Sequence, residues 1–161
     1  MLTLFAFGCS APQQNLPDEF DLGTTENGLY TNSYFNLEIP FDTTWSVQDK
    51  QDLNKLMEVG RELATGDDQE LKAILKASQV NTAYLLTIFK YELGTAVAFN
   101  PSLMVIAENV NSFPGIKTGK DYLFHSKNLL KQSPMDYTFD KEIFERTIGE
   151  SKFHVMEAKL N

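Results

Sequence analysis

The chain has one cysteine, two histidines and one tryptophan in 161 residues, and no lysine or arginine before Lys50. A lone thiol, Cys9, cannot form an internal disulfide. With no second cysteine and so few histidines, the three or four ligands of a zinc site are not assembled either. Basic residues are also scarce: 14 Lys and Arg stand against 22 Asp and Glu, a net charge of −8. That balance argues against nucleic acid as a partner, because phosphate binding needs a basic footprint. It argues equally against flat docking on anionic lipid, which a polybasic patch would support. No apolar run reaches the roughly 20 residues that cross a bilayer. No serine sits in Gly-x-Ser-x-Gly context. Gly115-Ile116-Lys117-Thr118-Gly119-Lys120 has Gly-x-x-x-Gly-Lys spacing followed by Asp121, not the spacing of a nucleotide-binding loop.

What is present begins with Met1 to Ser10, M-L-T-L-F-A-F-G-C-S. Seven of its first eight positions are apolar or glycine, the size of a signal-peptide core. Ala6-Phe7-Gly8-Cys9 resembles the lipobox of bacterial lipoproteins, with small residues flanking the cut and cysteine opening the mature chain. The thiolate is the nucleophile that accepts a diacylglyceryl group, and small side chains at Ala6 and Gly8 let a peptidase reach the backbone. Residues 1–8 are thus expected to be part of an export signal cleaved between Gly8 and Cys9, with Cys9 lipidated. The missing basic start implies that the sequence begins inside the full signal. Each buried methylene contributes about 0.8 kcal/mol, so two or three acyl chains anchor stably where one does not. Ser10 is not the aspartate linked to inner-membrane retention. The expected address is the cell envelope of a bacterium, on an extracytoplasmic membrane face.

Residues 9–28 carry two prolines before Gly28, no basic residue and little apolar periodicity, the composition of a flexible tether. Folding is expected from Leu29. Phe35, Leu37 and Ile39 alternate up to Pro40, as in a half-buried strand, and Trp45-Ser46-Val47 opens another. Leu53, Leu56, Met57, Gly60, Leu63 and Ala64 fall on one helical face after Asp49. Gly66-Asp67-Asp68 ends that helix and caps a second, with Leu71, Ile74 and Leu75 inward. Thr82–Tyr91 and Ser102–Glu108 read as central strands. Thr118 or Asp121 caps a helix through Leu130, ended by Ser133-Pro134. Glu142–Ile148 and Lys152–Leu160 read as a hairpin around Gly149. The order predicts an α+β fold, a mostly antiparallel sheet with helices packed on it.

Few residues point to chemistry. His125 and Asp121 stand four apart on a helix, the spacing of an oriented imidazole or half a metal site, and the plain reading is a surface histidine. Asp67, Asp68 and Glu70 lack the Asp-x-Asp-x-Asp-Gly spacing of a calcium loop and suit a cap with solvated charges. Asp49, Asp52, Glu58 and Glu62, interspersed with Lys55 and Arg61, form a solvated helix face. Tyr84, Phe89, Tyr91, Phe99 and Phe124 fall at core spacing. No catalytic residue, cofactor or metal is assigned.

Tyr34-Phe35-Asn36-Leu37-Glu38-Ile39-Pro40 with Trp45 downstream resembles the start of the PsbP/Mog1-like domain, and the helix after Phe113-Pro114-Gly115 followed by a hairpin is similar too. The resemblance covers Tyr30 to Asn161, within a domain of 29–161. It implies a non-enzymatic module that binds or helps assemble protein partners. It also implies a further strand and C-terminal helix beyond Asn161. The expectation is therefore a lipid-anchored, non-catalytic domain that binds an envelope protein or supports an envelope complex. The alternative is an extracytoplasmic receptor for a small molecule or cation.

Overall fold

A computed structural model describes Pro17 and residues 19–161. Three short strands come first: β1 (Thr24–Glu26), β2 (Leu29–Asn32) and β3 (Leu37–Pro40), antiparallel in that order. The stretch that composition assigns to a tether is, from Thr24 onward, part of this sheet. Two local devices explain the difference. Asn27 and Gly28 both take positive φ, 49° and 77°, which is the two-residue turn that matches strand twist in a hairpin. Asp21 then clasps the segment to the next turn: its carboxylate accepts from Gly23 N (2.6 Å), Ser33 N (3.1 Å) and Ser33 Oγ (2.9 Å). These bonds, the Gly23 one foremost, hold its carboxyl below the usual carboxylate range. Tyr34 and Phe35 lie in the β2–β3 turn, not in the strand the alternation predicts, because Asn32 Oδ1 accepts from Phe35 N (2.9 Å) and Asn36 has φ 49°.

The second sheet runs β4 (Ser46–Val47), β5 (Thr82–Phe89), β6 (Ser102–Glu108), again antiparallel. Between β4 and β5 lie α1 (Lys50–Thr65), α2 (Gln69–Ser78) and a 3₁₀ turn, Gln79–Asn81. After β6 come α3 (Gly119–Gln132) and four short strands. Of these, β7 (Tyr137–Thr138) pairs with β10 (Lys159–Leu160), and β8 (Phe144–Ile148) with β9 (Ser151–Val155). The fold is α+β, and every described strand pair is antiparallel.

The core sits between the two sheets. Tyr30 is 1% exposed and meets Leu86 and Ile88, with Leu37, Ile39, Trp45, Leu85 and Val105 around them. Register shifts at Leu85, so that Tyr84 faces Ile106 while Leu86 faces Val105. This bulge turns Leu85 and Leu86 to one side, and both reach the same cluster. The other side of β5 carries Tyr84, with Arg61 of α1 close enough to act on its phenol.

Four expectations shift at the periphery. β6 is an edge of its sheet and not a central strand, leaving Ile106 47% exposed. On α1 the inward line runs through Leu53, Met57, Arg61 and Thr65, so Gly60 and Leu63 fall outside it and Leu63 is 65% exposed. Tyr91 and Phe99 in the loop after β5 and Phe124 on the outer side of α3 are exposed, whereas Phe89 is buried. The single strand expected over Lys152–Leu160 is broken after Val155, where the chain crosses to pair with β7.

Thr87 is buried in β5, and among the described residues its Oγ1 has no partner. A stranded hydroxyl costs desolvation without return, so Thr87→Val is expected to stabilise the domain by about 1 kcal/mol. Urea denaturation of the two forms checks this; a less stable variant would show that the hydroxyl is satisfied.

Candidate functional site

Caps hold α2 and α3 in place. Asp68 accepts from Leu71 N (2.9 Å) at the start of α2. At α3, Thr118 Oγ1 accepts from Asp121 N (3.2 Å), and the Asp121 carboxylate accepts from Thr118 N (2.9 Å) and Thr118 Oγ1 (2.8 Å). The loop from Asn109 to Thr118 is tied at its start, where Asn109 N donates to the Asn81 carbonyl (2.8 Å). Two tight turns follow, with Phe113 N on the Val110 carbonyl and Ile116 N on that of Phe113, both at 2.9 Å.

The outcome is a groove of about 920 Å³ bounded by α2, α3 and this loop. Ile74, Leu75, Phe113, Ile116 and Leu129 supply apolar wall, and Asn81, Glu108, Tyr122 and Ser126 supply polar groups. Tyr122 donates its hydroxyl to Glu108 Oε2 at 2.7 Å. Ser126 Oγ donates to the Tyr122 carbonyl (3.0 Å), which fixes the turn of α3 carrying the phenol. Burial, then the hydrogen bond to Glu108 and its charge, push the Tyr122 phenol up to about 12. Burial and the same charge raise Tyr84 on β5, against a smaller opposing effect of Arg61.

A second cleft, about 510 Å³, is lined by Ala83 and Leu85 of β5 and by residues 105–108 of β6. Its rim holds Phe20, Tyr34 and Phe35, whose ring centroids lie 4.9–5.8 Å apart. Asn81, Glu108 and Val110 line both spaces, so the end of β6 is the wall between them.

The residues singled out by sequence are not gathered here, His125 excepted. Gly8 and Cys9 lie outside the described residues. His125 stands at the groove, but Asp121 is spent on the α3 cap, with Lys117 N as a further donor (3.2 Å), so the two make no half-site for a metal. His154 is elsewhere, 3.6 Å from Glu145. Asp68 is a cap, as expected. Among the described residues no group of three His, Cys, Asp or Glu could hold a metal ion, and no helix is long and apolar enough to cross a membrane. Sequence reading missed Glu108. The signal was there: a carboxylate closes the otherwise apolar run Leu103 to Ala107. No family model matches the chain, and neither a curated protein nor a solved structure matches it.

The phenol is testable by pH. A folded value near 12 against an ordinary 10.0 means the contribution of neutral Tyr122 is full below 10 and disappears as pH rises through 12. In a tyrosinate titration Tyr122 is expected to ionise later than an unperturbed phenol, and Glu108→Gln to bring its ionisation down toward 10. An unchanged titration in the variant would mean burial alone sets the value.

Proposed function

We propose that this chain is a membrane-tethered, non-catalytic binding domain whose groove between α2 and α3 receives a small organic ligand. The groove carries the reading. Its volume lies in the range of ligand sites, ~300–1,000 Å³, at about 920 Å³, and its apolar walls surround a few converging polar groups. The Glu108–Tyr122 pair gives it a fixed polar point. A general acid or base tuned toward neutral pH would support an enzyme instead, and the raised phenol of Tyr122 is tuned away from it.

The tether half of the proposal rests on Ala6-Phe7-Gly8-Cys9 and its likeness to a lipobox. Acyl chains on Cys9 would hold the domain at an envelope membrane, facing away from the cytoplasm. The kinship to PsbP/Mog1-like domains belongs to the same proposal, supported by the strand that ends at Pro40 ahead of Trp45 and by a hairpin following α3. A second reading, docking of an envelope protein, is favoured by Val59 and Leu63. They are exposed one turn apart on α1, with the open surface of Gly60 beside them.

Two measurements test these halves separately. Cys9→Ser is expected to move the protein from the membrane to the soluble fraction, and mass spectrometry of the parent to find a chain starting at an acylated Cys9. Full membrane partition of the variant removes the anchor. For the groove, the neutral probe 3-methylindole is expected to shift the NMR signals of Leu75 and Leu129 at millimolar concentration. Shifts confined to Val59 and Leu63 would transfer the binding role to α1.

A further inference from the structure

Glu108 is the one carboxylate on the groove lining, and its charge is not balanced. Among the described residues it joins no ion pair; the four salt bridges present involve other groups. Its neighbours are neutral phenols. Tyr122 occupies Oε2, and Tyr84 feels the charge without a hydrogen bond to it. Arg61 reaches toward Tyr84 but not to within ion-pair distance of Glu108. Oε1 accordingly has no hydrogen-bond partner among the described residues. The side chain is half-buried, so water solvates this charge only in part.

A partly desolvated anion without a counter-charge is costly on its own and becomes favourable when a matching cation arrives. The surroundings choose the kind of cation. A divalent metal needs several hard ligands, and no such group exists among the described residues. Apolar side chains of α2 and α3 share the groove lining with the carboxylate instead, as do the aromatic rings of Tyr122 and Phe113, a side-chain class whose faces attract positive charge. Asn81 lines the groove with a side-chain amide that no described residue engages, a second hydrogen-bonding point beside the first. The net charge of −8 favours the approach of cations over anions.

We propose that the groove is selective for organic cations: an ammonium or guanidinium group of a small molecule seats on Glu108, and its apolar body lies between α2 and α3. This rests on the groove reading given above. The ligand class is an amphipathic amine, charged at one end and aromatic or aliphatic at the other.

The test uses the full chain and three probes that share an indole body, tryptamine (cationic), 3-methylindole (neutral) and indole-3-propionate (anionic), followed by NMR titration at neutral pH. Tryptamine is expected to bind at least roughly tenfold more tightly than 3-methylindole, the scale of one hydrogen bond to a charged group, and indole-3-propionate most weakly. Glu108→Gln keeps an acceptor for the Tyr122 hydroxyl and removes only the charge. It is expected to erase the tryptamine advantage over 3-methylindole. Equal affinities for all three probes in the parent would overturn the cation proposal and leave the groove as a neutral apolar site. Failure of all three to shift groove residues would remove the groove reading along with it. The comparison among probes on the parent chain decides the matter even if the variant folds poorly.

Discussion

Tyr30→Ala is expected to destabilise the domain by about 3–5 kcal/mol, the range for emptying an aromatic core site. Against a total of roughly 5–15 kcal/mol for a folded domain, this change can unfold most of the population at moderate temperature. The side chain is 1% exposed and sits where the two sheets meet, against Leu86 and Ile88. Its hydroxyl also donates to the Leu22 carbonyl (2.9 Å) and accepts from Asn32 Nδ2 (3.0 Å). Asn32 in turn donates to the Asp21 carbonyl (2.8 Å). Loss of Tyr30 therefore releases the segment before β1 as well as emptying the core. Tyr30→Phe separates the two effects, and about 1 kcal/mol is expected for the hydroxyl alone. Denaturant unfolding of both variants measures them; a loss for Tyr30→Ala no larger than for Tyr30→Phe would mean that the ring contributes little.

Gly23→Val is expected to have the second-largest effect. Gly23 has φ +79°, and a Cβ built there would lie 2.5 Å from the Thr31 carbonyl oxygen and 2.5 Å from the Tyr30 hydroxyl. The first is the backbone of β2, which cannot swing aside as a side chain would. The clash is expected to detach β1 and to expose Tyr30. Gly94→Val is the control, with φ +89° but nothing within 4 Å of the added carbon. It bears only the left-handed backbone penalty, about 1–2 kcal/mol. Thermal unfolding should show the Gly23 variant clearly below the Gly94 variant, with β1 and β2 amides losing protection from hydrogen exchange. Equal losses would mean the close approach at Gly23 is relieved at no cost.

Sequence reading succeeded where one signal dominated. The apolar run read as a strand over Thr82–Tyr91 forms one over Thr82–Phe89, and the cap at Asp68 and the Thr118/Asp121 start of α3 appear as capping requires. It failed at the first hairpin because three- and four-residue strands are too short to alternate visibly. That hairpin is held by Asp21 and a buried Asn32, residues that composition counts as loop formers. Asn27-Gly28 was the legible clue. On α1, Met57, Arg61 and Thr65 face inward, and periodicity of apolar types could not anticipate an arginine drawn to the Tyr84 phenol. The groove draws Glu108 from a strand end, Ile74 and Leu75 from α2 and Tyr122 from α3. No local pattern in a sequence joins positions that only tertiary packing assembles. His125 shows the reverse case: a suggestive i, i+4 pair with Asp121 is dissolved by a stronger local demand, the helix cap.

The bulge in β5 makes Leu85 a supernumerary residue. Because Leu85 and Leu86 turn to the same side, removing Leu85 leaves Ala83 and Tyr84 oriented as before and restores plain alternation from Thr82 to Phe89. The same one-residue loss at Thr87 would invert one half of the strand, exchanging inward for outward positions. The strand can thus lose one peptide unit at Leu85 without exchanging its two faces, at the cost of the Leu85 packing, whereas a lineage or a designer trimming the strand elsewhere would have to rebuild both layers at once.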